Sequence, residues 1–276
     1  MLKKKDTANH LRILWLTDLH LEFVSSSARL NALFQEIRSA QPDSILVGGD
    51  TGTAPSVEAY LLALEEQLQV PIYFVLGNHD FYRGSIWQVR EVARKLSQRS
   101  NMLYWLPAEG VIELSANTAL IGHGGWADGR LGNSSHSTVQ LNDYLLIEEF
   151  IGLNVERRFQ KLNVLGDEAA EHFHRVLPEA VNTYPNVLLL THVPPFRDAC
   201  WHEGQISDDE FLPHFTCKAV GDVLLEIMKG HSESHLTVLC GHTHGQGEVE
   251  ILPNLLVKTG GAEYGEPKMQ NVFHVE

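Results

Sequence analysis

Short apolar runs alternate with amphipathic stretches over the first hundred residues. Three runs have the length and composition of buried strands, at residues 12–16, 44–47 and 72–76. Each is followed by apolar residues at three- and four-residue spacing, in the sets Leu30, Leu33, Phe34 and Ile37, then Val57, Leu61, Leu64 and Leu68, then Ile86, Val89, Ala93 and Leu96. That spacing is the period of helices packed on a sheet, so the alternation predicts βαβ units and a parallel sheet.

The pattern changes after residue 100. Three short apolar runs follow too closely for crossover helices, at residues 102–106, 111–114 and 118–121. We expect them to pair antiparallel, in a mixed or a second sheet. Two further buried strands and a helix between them are predicted at residues 186–190, 235–240 and 217–228. The chain is expected to close with an antiparallel meander of residues 248–252, 255–258 and 272–275.

Two longer segments occupy the middle of the chain. Residues 123 to about 140 are rich in Gly, Ser and Asn and predict a long loop beside the site. Residues 141 to about 182 predict a helical region broken at Gly152, Gly166 and Pro178. We therefore expect one α/β domain over residues 1–276, with a substrate-side insertion at about 123–182.

Composition and charge exclude several classes of protein. The 276 residues are 43% hydrophobic and 20% charged, which is typical of a globular domain. The formal net charge of -14 disfavours a groove for long nucleic acid, which needs clustered Lys and Arg. The sequence does not determine the oligomeric state.

Cysteine usage and the N-terminus bear on location. The cysteines Cys200, Cys217 and Cys240 are odd in number and lack CxxC spacing, so we expect buried thiols in a reducing compartment. The basic run at residues 3–5 precedes an apolar run too short for a signal peptide, because Asp18 interrupts it. No run reaches transmembrane length, and the sequence predicts a soluble, cytoplasmic protein.

Polar side chains follow five of the predicted strands. They are Asp18 and His20, then Asp50, then Asn78, His79 and Asp80, then His192, and finally His242 and His244. If the strands share a sheet edge, these side chains converge. Imidazole, carboxylate and amide donors without thiol suit Zn, Mn, Fe or Co, and their number fits two ions ~3.5–4 Å apart with one shared carboxylate.

The ordered motifs resemble those of the calcineurin-like metallophosphoesterase superfamily, from Asp18-x-His20 through Gly49-Asp50, Gly77-Asn78-His79-Asp80 and Thr191-His192 to Gly241-His242-x-His244. The resemblance implies a four-layer α-β-β-α sandwich of two mixed sheets flanked by helices. It also implies two transition-metal ions, Mn, Fe or Zn, held by Asp18, His20, Asp50 and His244 and by Asp50, Asn78, His192 and His242. Asp50 would bridge the ions.

The resemblance further implies hydrolysis of a phosphate ester by in-line attack of a metal-bridging hydroxide. His79 would steady the phosphate or protonate the leaving oxygen. Because Gly77-Asn78-His79-Asp80 resembles a motif of many phosphodiesterase-like relatives, we favour phosphodiesters, with a small or nucleotide-like substrate, over monoesters. A DNA nuclease, a structural metal protein and a catalytically weak scaffold that binds a protein partner are the alternatives.

One departure from the family pattern concerns the catalytic histidine. The family's second motif usually continues to another acidic residue, which in some members orients that histidine. Here residues 51–54 follow Asp50 without a carboxylate. We hypothesise that Asp80 or a substrate phosphate replaces it, although a helix-entry or supporting role for Asp80 is equally open.

Other polar residues carry weaker signals. Five candidate substrate contacts follow from their positions near the predicted site, namely Arg83, His123, Trp126, Arg130 and Arg197. A plain surface role is an equal alternative for each. His172 and His174 do not share a helix face and are interpreted as part of a solvated surface.

Overall fold

The computed structural model describes residues 11–134 and 136–276, so the basic run at residues 3–5 lies outside the described residues. The strands, numbered in chain order, are β1 Leu11–Leu16, β2 Ser44–Gly48, β3 Ile72–Val75, β4 Leu103–Trp105, β5 Ile112–Ser115, β6 Thr118–Gly122, β7 Asn186–Leu190, β8 Trp201–His202, β9 Gln205–Ile206, β10 His235–Cys240, β11 Gly247–Leu252, β12 Leu255–Thr259 and β13 Asn271–Val275. The helices are α1 Ser27–Ser39, α2 Val57–Leu68, α3 Ile86–Arg99, α4 Leu106–Glu109, α5 Asp143–Leu146, α6 Val155–Thr183, α7 Leu212–Phe215 and α8 Lys218–Lys229.

Two large sheets contain most of these strands. The first has the order β13-β1-β2-β3-β4, with β1 to β4 parallel and β13 antiparallel to β1. The second has the order β11-β12-β10-β7-β6-β5, with four parallel inner strands and antiparallel strands at both edges. Both sheets are therefore mixed.

Alternation along the strands explains how the sheets pack. In β1, Ile13 and Trp15 belong to an apolar cluster between the two sheets, whereas Leu14 and Leu16 face the helices on the other side. In β7, Leu190 joins the same central cluster. Helices α1 to α3 cover the first sheet, and α6 and α8 cover the second. The four-layer α-β-β-α sandwich is confirmed.

Two strand predictions are wrong. The run at 102–106 forms β4, which pairs parallel with β3, because α3 already provides the crossover between them. The last run does not complete a meander. It forms β13 in the first sheet, where Val275 is buried in the cluster between the sheets. Only β5 with β6 and β11 with β12 pair antiparallel as expected.

The predicted breaks in the middle helical region hold at only one of three places. The short helix α5 and the long helix α6 are separated around Gly152, but α6 continues through Gly166 and Pro178. At Gly166 a Cβ would lie 2.5 Å from the Cβ of Asp128, so the glycine serves close packing. Beyond Pro178, burial of Val181 keeps the helix on the second sheet.

The solvated-surface interpretation of His172 is wrong, whereas His174 is exposed. His172 is buried because it lies on the helix stripe of Ala169, Phe173 and Val176, which faces the second sheet. The three cysteines are buried and free, as predicted. Among the described residues, no helix has the length and apolar content needed to cross a membrane.

Candidate metal centre

The predicted ligands lie in loops at the carboxyl ends of strands from both sheets. The ends of β1, β2 and β3 bring Asp18, His20, Asp50 and Asn78, and those of β7 and β10 bring His192, His242 and His244. The sequence predicted that all these loops lie at the edge of one sheet. In the structure they come from the edges of two sheets, which meet at the site. Backbone bonds join the loops, for example from His20 N to Asp50 O at 2.9 Å and from Gly241 N to His192 O at 2.9 Å.

Asp50 lies at the centre of the group. Its Oδ2 is 3.4 Å from His192 Nε2 and 3.7 Å from His20 Nε2. Its Oδ1 accepts a hydrogen bond of 2.8 Å from the backbone N–H of His79. Although burial opposes ionisation, the surrounding imidazoles, led by His192, hold the pKa of Asp50 well below its usual range. One carboxylate oxygen thus remains available between two imidazoles.

Three acceptor atoms converge beside Asp50. His192 Nδ1–H donates to Gly48 O at 2.9 Å, which leaves its Nε2 as an acceptor. His242 Nε2–H donates to His214 O at 3.0 Å, which leaves its Nδ1 as an acceptor. These two nitrogens lie 3.1 and 2.9 Å from Asn78 Oδ1, so lone pairs face lone pairs when both rings are neutral. A bound cation satisfies such an arrangement.

The electrostatics of His192 agree with this interpretation. Burial favours the neutral imidazole, but the Asp50 carboxylate raises the pKa of His192 to about 10. The pocket thus stabilises positive charge at this ring, which a metal ion would supply.

A second donor group lies on the other side of Asp50. The ligand atoms of Asp18, His20 and His244 all lie within 4.8 Å of one another. His20 Nε2 is 3.0 Å from His244 Nε2, which in turn is 3.6 Å from Asp18 Oδ1. Nitrogen and oxygen donors of this kind fit Zn, Mn or Fe.

The backbone of the ligand loops adopts an uncommon conformation. Five of the candidate ligands have φ in the left-handed region, namely Asp18 at 50°, His20 at 43°, Asp50 at 51°, His242 at 70° and His244 at 60°. Residues with side chains rarely adopt such angles, and they cluster at functional sites where the surrounding structure holds them. The loops are therefore shaped to direct these side chains inwards.

Two glycines allow the loops after β2 and β3 to approach each other. Gly49 has φ of +92°, and a Cβ there would lie 2.6 Å from Gly77 N. A Cβ at Gly77 would lie 2.2 Å from Asp50 Oδ1 and 2.7 Å from His192 Cε1. Any larger residue at Gly77 would displace the central carboxylate.

Asp80 holds these two loops together. Its Oδ2 accepts from Asp50 N at 3.0 Å and Gly77 N at 2.9 Å, and its Oδ1 accepts from Thr51 N and Gly52 N at 2.9 Å each. Burial and the Asp50 charge raise the pKa of Asp80, which the N–H donors oppose. Both oxygens are fully used, so the hypothesis that Asp80 orients His79 is wrong.

His79 lies beside the ligand groups, and its ring packs between two others. The ring stacks on Tyr82 at 4.2 Å between centroids and meets the edge of His20 at 4.5 Å. Its Nδ1 is 3.6 Å from Glu22 Oε1. Burial lowers the pKa of His79, but the charges of Asp50 and Glu22 outweigh this effect and raise the pKa above its usual value.

The amide of Asn78 is fixed by residues that sequence reasoning missed. Asn78 Nδ2 donates to Asp143 Oδ1 at 2.9 Å, and Tyr82 Oη donates to the same oxygen at 2.6 Å. The amide therefore turns its Oδ1 towards His192 and His242. Asp143 is buried in α5, 65 residues from Asn78 in sequence, and no local motif marks it.

We expect Asp143→Ala to weaken metal binding by ~10–100-fold, because supporting partners of metal ligands typically contribute that much. Without Asp143, the Asn78 amide is free to turn its NH₂ towards the two imidazoles. Titration calorimetry with Mn²⁺ would measure the change, with the exposed Glu148→Ala on the same segment as control. Unchanged affinity in the Asp143 variant would contradict this role.

A cleft of about 320 Å³ opens over the donor groups. Its lining includes Asp50, His79, His244, Phe215 and the half-exposed Tyr264. No Arg or Lys lines it among the described residues. The cleft thus offers metal-ligand and aromatic surfaces to a small ligand.

The three candidate arginines lie away from this lining. Arg130 pairs with the buried Asp128 at 3.1 Å, and Arg197 pairs with Asp209 at 2.7 Å. Arg83 is exposed, in the left-handed region with φ of 64°.

His123 and Trp126 are also outside the cleft lining. Trp126 is buried between the rings of Phe81 and Phe150, at 5.5 and 5.7 Å. His123 is buried, and its Nδ1 accepts from Gly125 N at 3.0 Å. Both side chains contribute to packing behind the site.

The two-sheet sandwich and the ligand loops are those of an α/β protein with a candidate metal centre. Comparison with known protein families identifies the family. The model of the family described as calcineurin-like phosphoesterase matches residues 11–246. The chain belongs to this family, and the resemblance in the sequence motifs is confirmed.

Two curated proteins match short parts of the chain. An uncharacterized metallophosphoesterase of Helicobacter pylori is 30% identical over 77 residues, covering 27% of this chain and 21% of that protein. A protein of Pseudoalteromonas sp. named as a probable cyclic nucleotide phosphodiesterase is 34% identical over 82 residues. The match covers 25% of this chain and 31% of that protein. The chain thus matches a third or less of each relative's length.

Solved structures share the fold over nearly the whole chain. The phosphopantetheinyl hydrolase of Mycobacterium tuberculosis has a TM-score of 0.64 and 13% identity, covering 94% of this chain and 95% of its own. A dimetal phosphatase from Danio rerio has a TM-score of 0.54 and 14% identity, covering 91% and 87%. At such low identity these likenesses establish the fold alone.

Proposed function

We propose that this protein is a binuclear metal-dependent phosphoesterase that acts on small phosphodiesters. The observation that carries the proposal is the position of Asp50 Oδ2, which lies between His20 and His192 at 3.7 and 3.4 Å. One donor group on each side of a shared carboxylate is the arrangement that two ions require.

The proposed ligands divide around Asp50. Asp18, His20, Asp50 and His244 would hold one ion, and Asp50, Asn78, His192 and His242 the other. Asp18 also lies within 4.8 Å of the second group. Its oxygens, however, already accept from His242 N at 2.9 Å and Thr17 Oγ1 at 2.6 Å. This favours Asp50 as the bridge.

The bound ions would supply an activated water near neutral pH and neutralise charge on the phosphate oxygens. His79 would hold a proton for the leaving oxygen. The charges of Asp50 and Glu22 raise the pKa of His79 against the effect of burial, which favours the protonated ring. Such general acid catalysis typically contributes ~10²–10⁴-fold.

The cleft favours a diester over a monoester. A monoester carries nearly two negative charges at pH 7, whereas a diester carries one. No arginine or lysine in the described lining offers a partner for the extra charge. Tyr264 offers a ring face at the rim for an aromatic group such as a base. The relative named as a probable cyclic nucleotide phosphodiesterase adds support for this substrate class.

Removal of metal is expected to abolish turnover of bis(p-nitrophenyl) phosphate, and Mn²⁺ is expected to restore it. The loss should reach ~10³-fold, since Lewis-acid stabilisation is worth several kcal/mol and each 1.4 kcal/mol is tenfold. Parallel restoration with Zn²⁺ and Fe²⁺ would rank the metals. The monoester p-nitrophenyl phosphate should turn over more slowly.

Two results would overturn the proposal. Failure to bind metal would remove the two-ion site altogether. Binding of two ions without turnover of either ester would favour the alternative, a scaffold that binds a protein partner. Faster turnover of the monoester would redirect the substrate class while keeping the two-ion chemistry.

A further inference from the structure

His79 lacks the carboxylate expected to orient it. Residues 51–54 contain no acidic side chain, and both oxygens of Asp80 are occupied by backbone N–H groups. A histidine that donates a proton must present a defined ring nitrogen to its substrate. Some other group must therefore fix the ring.

The acidic side chain that contacts the ring is Glu22. Its Oε1 lies 3.6 Å from His79 Nδ1 and 3.7 Å from His20 Nδ1. Both oxygens of Glu22 and both Nδ1 atoms are buried and have no hydrogen-bond partner among the described residues. One carboxylate and two imidazole nitrogens thus form a group with no other hydrogen-bond partner in the described part of the chain.

The chain fold places Glu22 there through a short turn. His20 has φ of 43°, and a one-turn 3₁₀ helix, Leu21–Phe23, follows it directly. Backbone bonds from His20 N to Asp50 O and from Leu21 N to Thr51 O fix this turn against the loop after β2. The side chain of Glu22 is held at 17% exposure beside the two rings.

We propose that Glu22 is the positioning residue for both His20 and His79. The two contacts, at 3.7 and 3.6 Å, need to shorten by only a few tenths of an ångström for the carboxylate to accept from Nδ1–H of each ring and so fix both in one tautomer. His20 Nε2 is then left as a metal ligand. His79 Nε2 is left to face the cleft, where the doubly protonated ring gives its Nε2 proton to the leaving oxygen and becomes the neutral Nδ1–H tautomer. The proposal rests on the proposed function, and it assigns to Glu22 the role of the missing carboxylate.

The alternative is that the same three side chains bind a third cation. His20, Glu22 and His79 offer ligand atoms within 4.8 Å of one another. Such an ion would occupy the Nδ1 atom of His79 and remove its proton. The two uses predict different metal contents. Glu22 as a positioning residue requires two ions per chain and no third.

The direct test observes the histidine tautomers and needs no turnover. In the metal-free and Zn²⁺-loaded protein at pH 8.5, ¹⁵N NMR should show protons on Nδ1 of His20 and His79. Loss of one signal in His79→Asn would assign it. Glu22→Leu removes the acceptor with similar bulk and should mix the tautomers, and Glu22→Gln, with one acceptor oxygen, should have an intermediate effect. The exposed Glu36→Gln is the control. Unchanged tautomers in Glu22→Leu would overturn the proposal.

Kinetics supply the second readout. The assays are run at saturating metal, so that a weaker hold on His20 does not lower turnover. Protonation matters most for a poor leaving group, so Glu22→Leu should then lower kcat for diphenyl phosphate by ~10–10²-fold. The loss for bis(p-nitrophenyl) phosphate should be much smaller, with KM nearly unchanged. In combination with His79→Asn, the Glu22 change should cause no further loss with diphenyl phosphate. Equal losses of kcat for the two esters would overturn the proposal. So would a third metal ion that the wild-type protein binds and Glu22→Leu does not.

The outcomes for Glu22 and for the whole enzyme are separable. If the wild-type protein turns over neither ester, the proposed function fails. The tautomers of the two rings still decide whether Glu22 positions them. The Glu22→Asp variant keeps the charge but shortens the reach, and serves as a second variant if Glu22→Leu does not fold.

Discussion

Asp50→Asn is expected to lower kcat/KM for phosphodiesters by ~10³-fold or more, the size expected when a bridging ligand of a two-metal site is lost. The substitution replaces Oδ2, the oxygen between His20 and His192, by an NH₂ group that cannot bind metal. The Oδ1 atom can still accept from His79 N. The loop should therefore keep its shape while the site loses its central ligand.

Metal analysis makes this expectation specific. Wild-type protein should hold two ions per chain, and Asp50→Asn should hold one or none after equilibrium dialysis. Asp43→Asn is a matched control, because Asp43 lies just before the same strand and its Oδ2 accepts from Arg12 N, away from the candidate ligands. Two tightly bound ions and activity within tenfold of wild type would show that Asp50 does not bridge.

Local patterns predicted the parts of the fold that local physics determines. The periodicity of Val57, Leu61, Leu64 and Leu68 identified α2, and all four residues are buried. The polar residues after the strands could be identified because a buried apolar strand ends where polar side chains begin. These features depend on neighbours close in sequence.

Pairing between distant segments could not be predicted in this way. The runs 248–252 and 272–275 look alike in sequence, yet the first lies in the second sheet and the other beside β1. Asp143 and Glu22 were missed for the same reason. The fold brings Asp143 to Asn78 and Glu22 to His79, and neither carboxylate belongs to a motif that its own surroundings define. The candidate ligands could be identified from the sequence, whereas the carboxylates beside them could not.

Asp80→Ala is expected to destabilise the protein by ~3–5 kcal/mol, because a buried N–H left without an acceptor costs ~1–3 kcal/mol and relaxation recovers part of the total. Asp80 accepts from four such groups in the loops after β2 and β3. These loops carry Asp50 and Asn78, so metal affinity should fall with stability. No surface ion pair in the chain should approach this effect.

Urea denaturation of the metal-free protein would measure the change. Asp80→Asn provides the matched comparison, since its single carbonyl oxygen keeps about half of the bonds and its NH₂ opposes the other donors. It should therefore lose less stability than Asp80→Ala. Asp209→Ala removes an exposed carboxylate that pairs with Arg197 at the surface and should stay within ~0.5 kcal/mol of wild type. If Asp80→Ala behaved like Asp209→Ala, the two loops would be held by their other contacts, and the positions of Asp50 and Asn78 would not depend on Asp80.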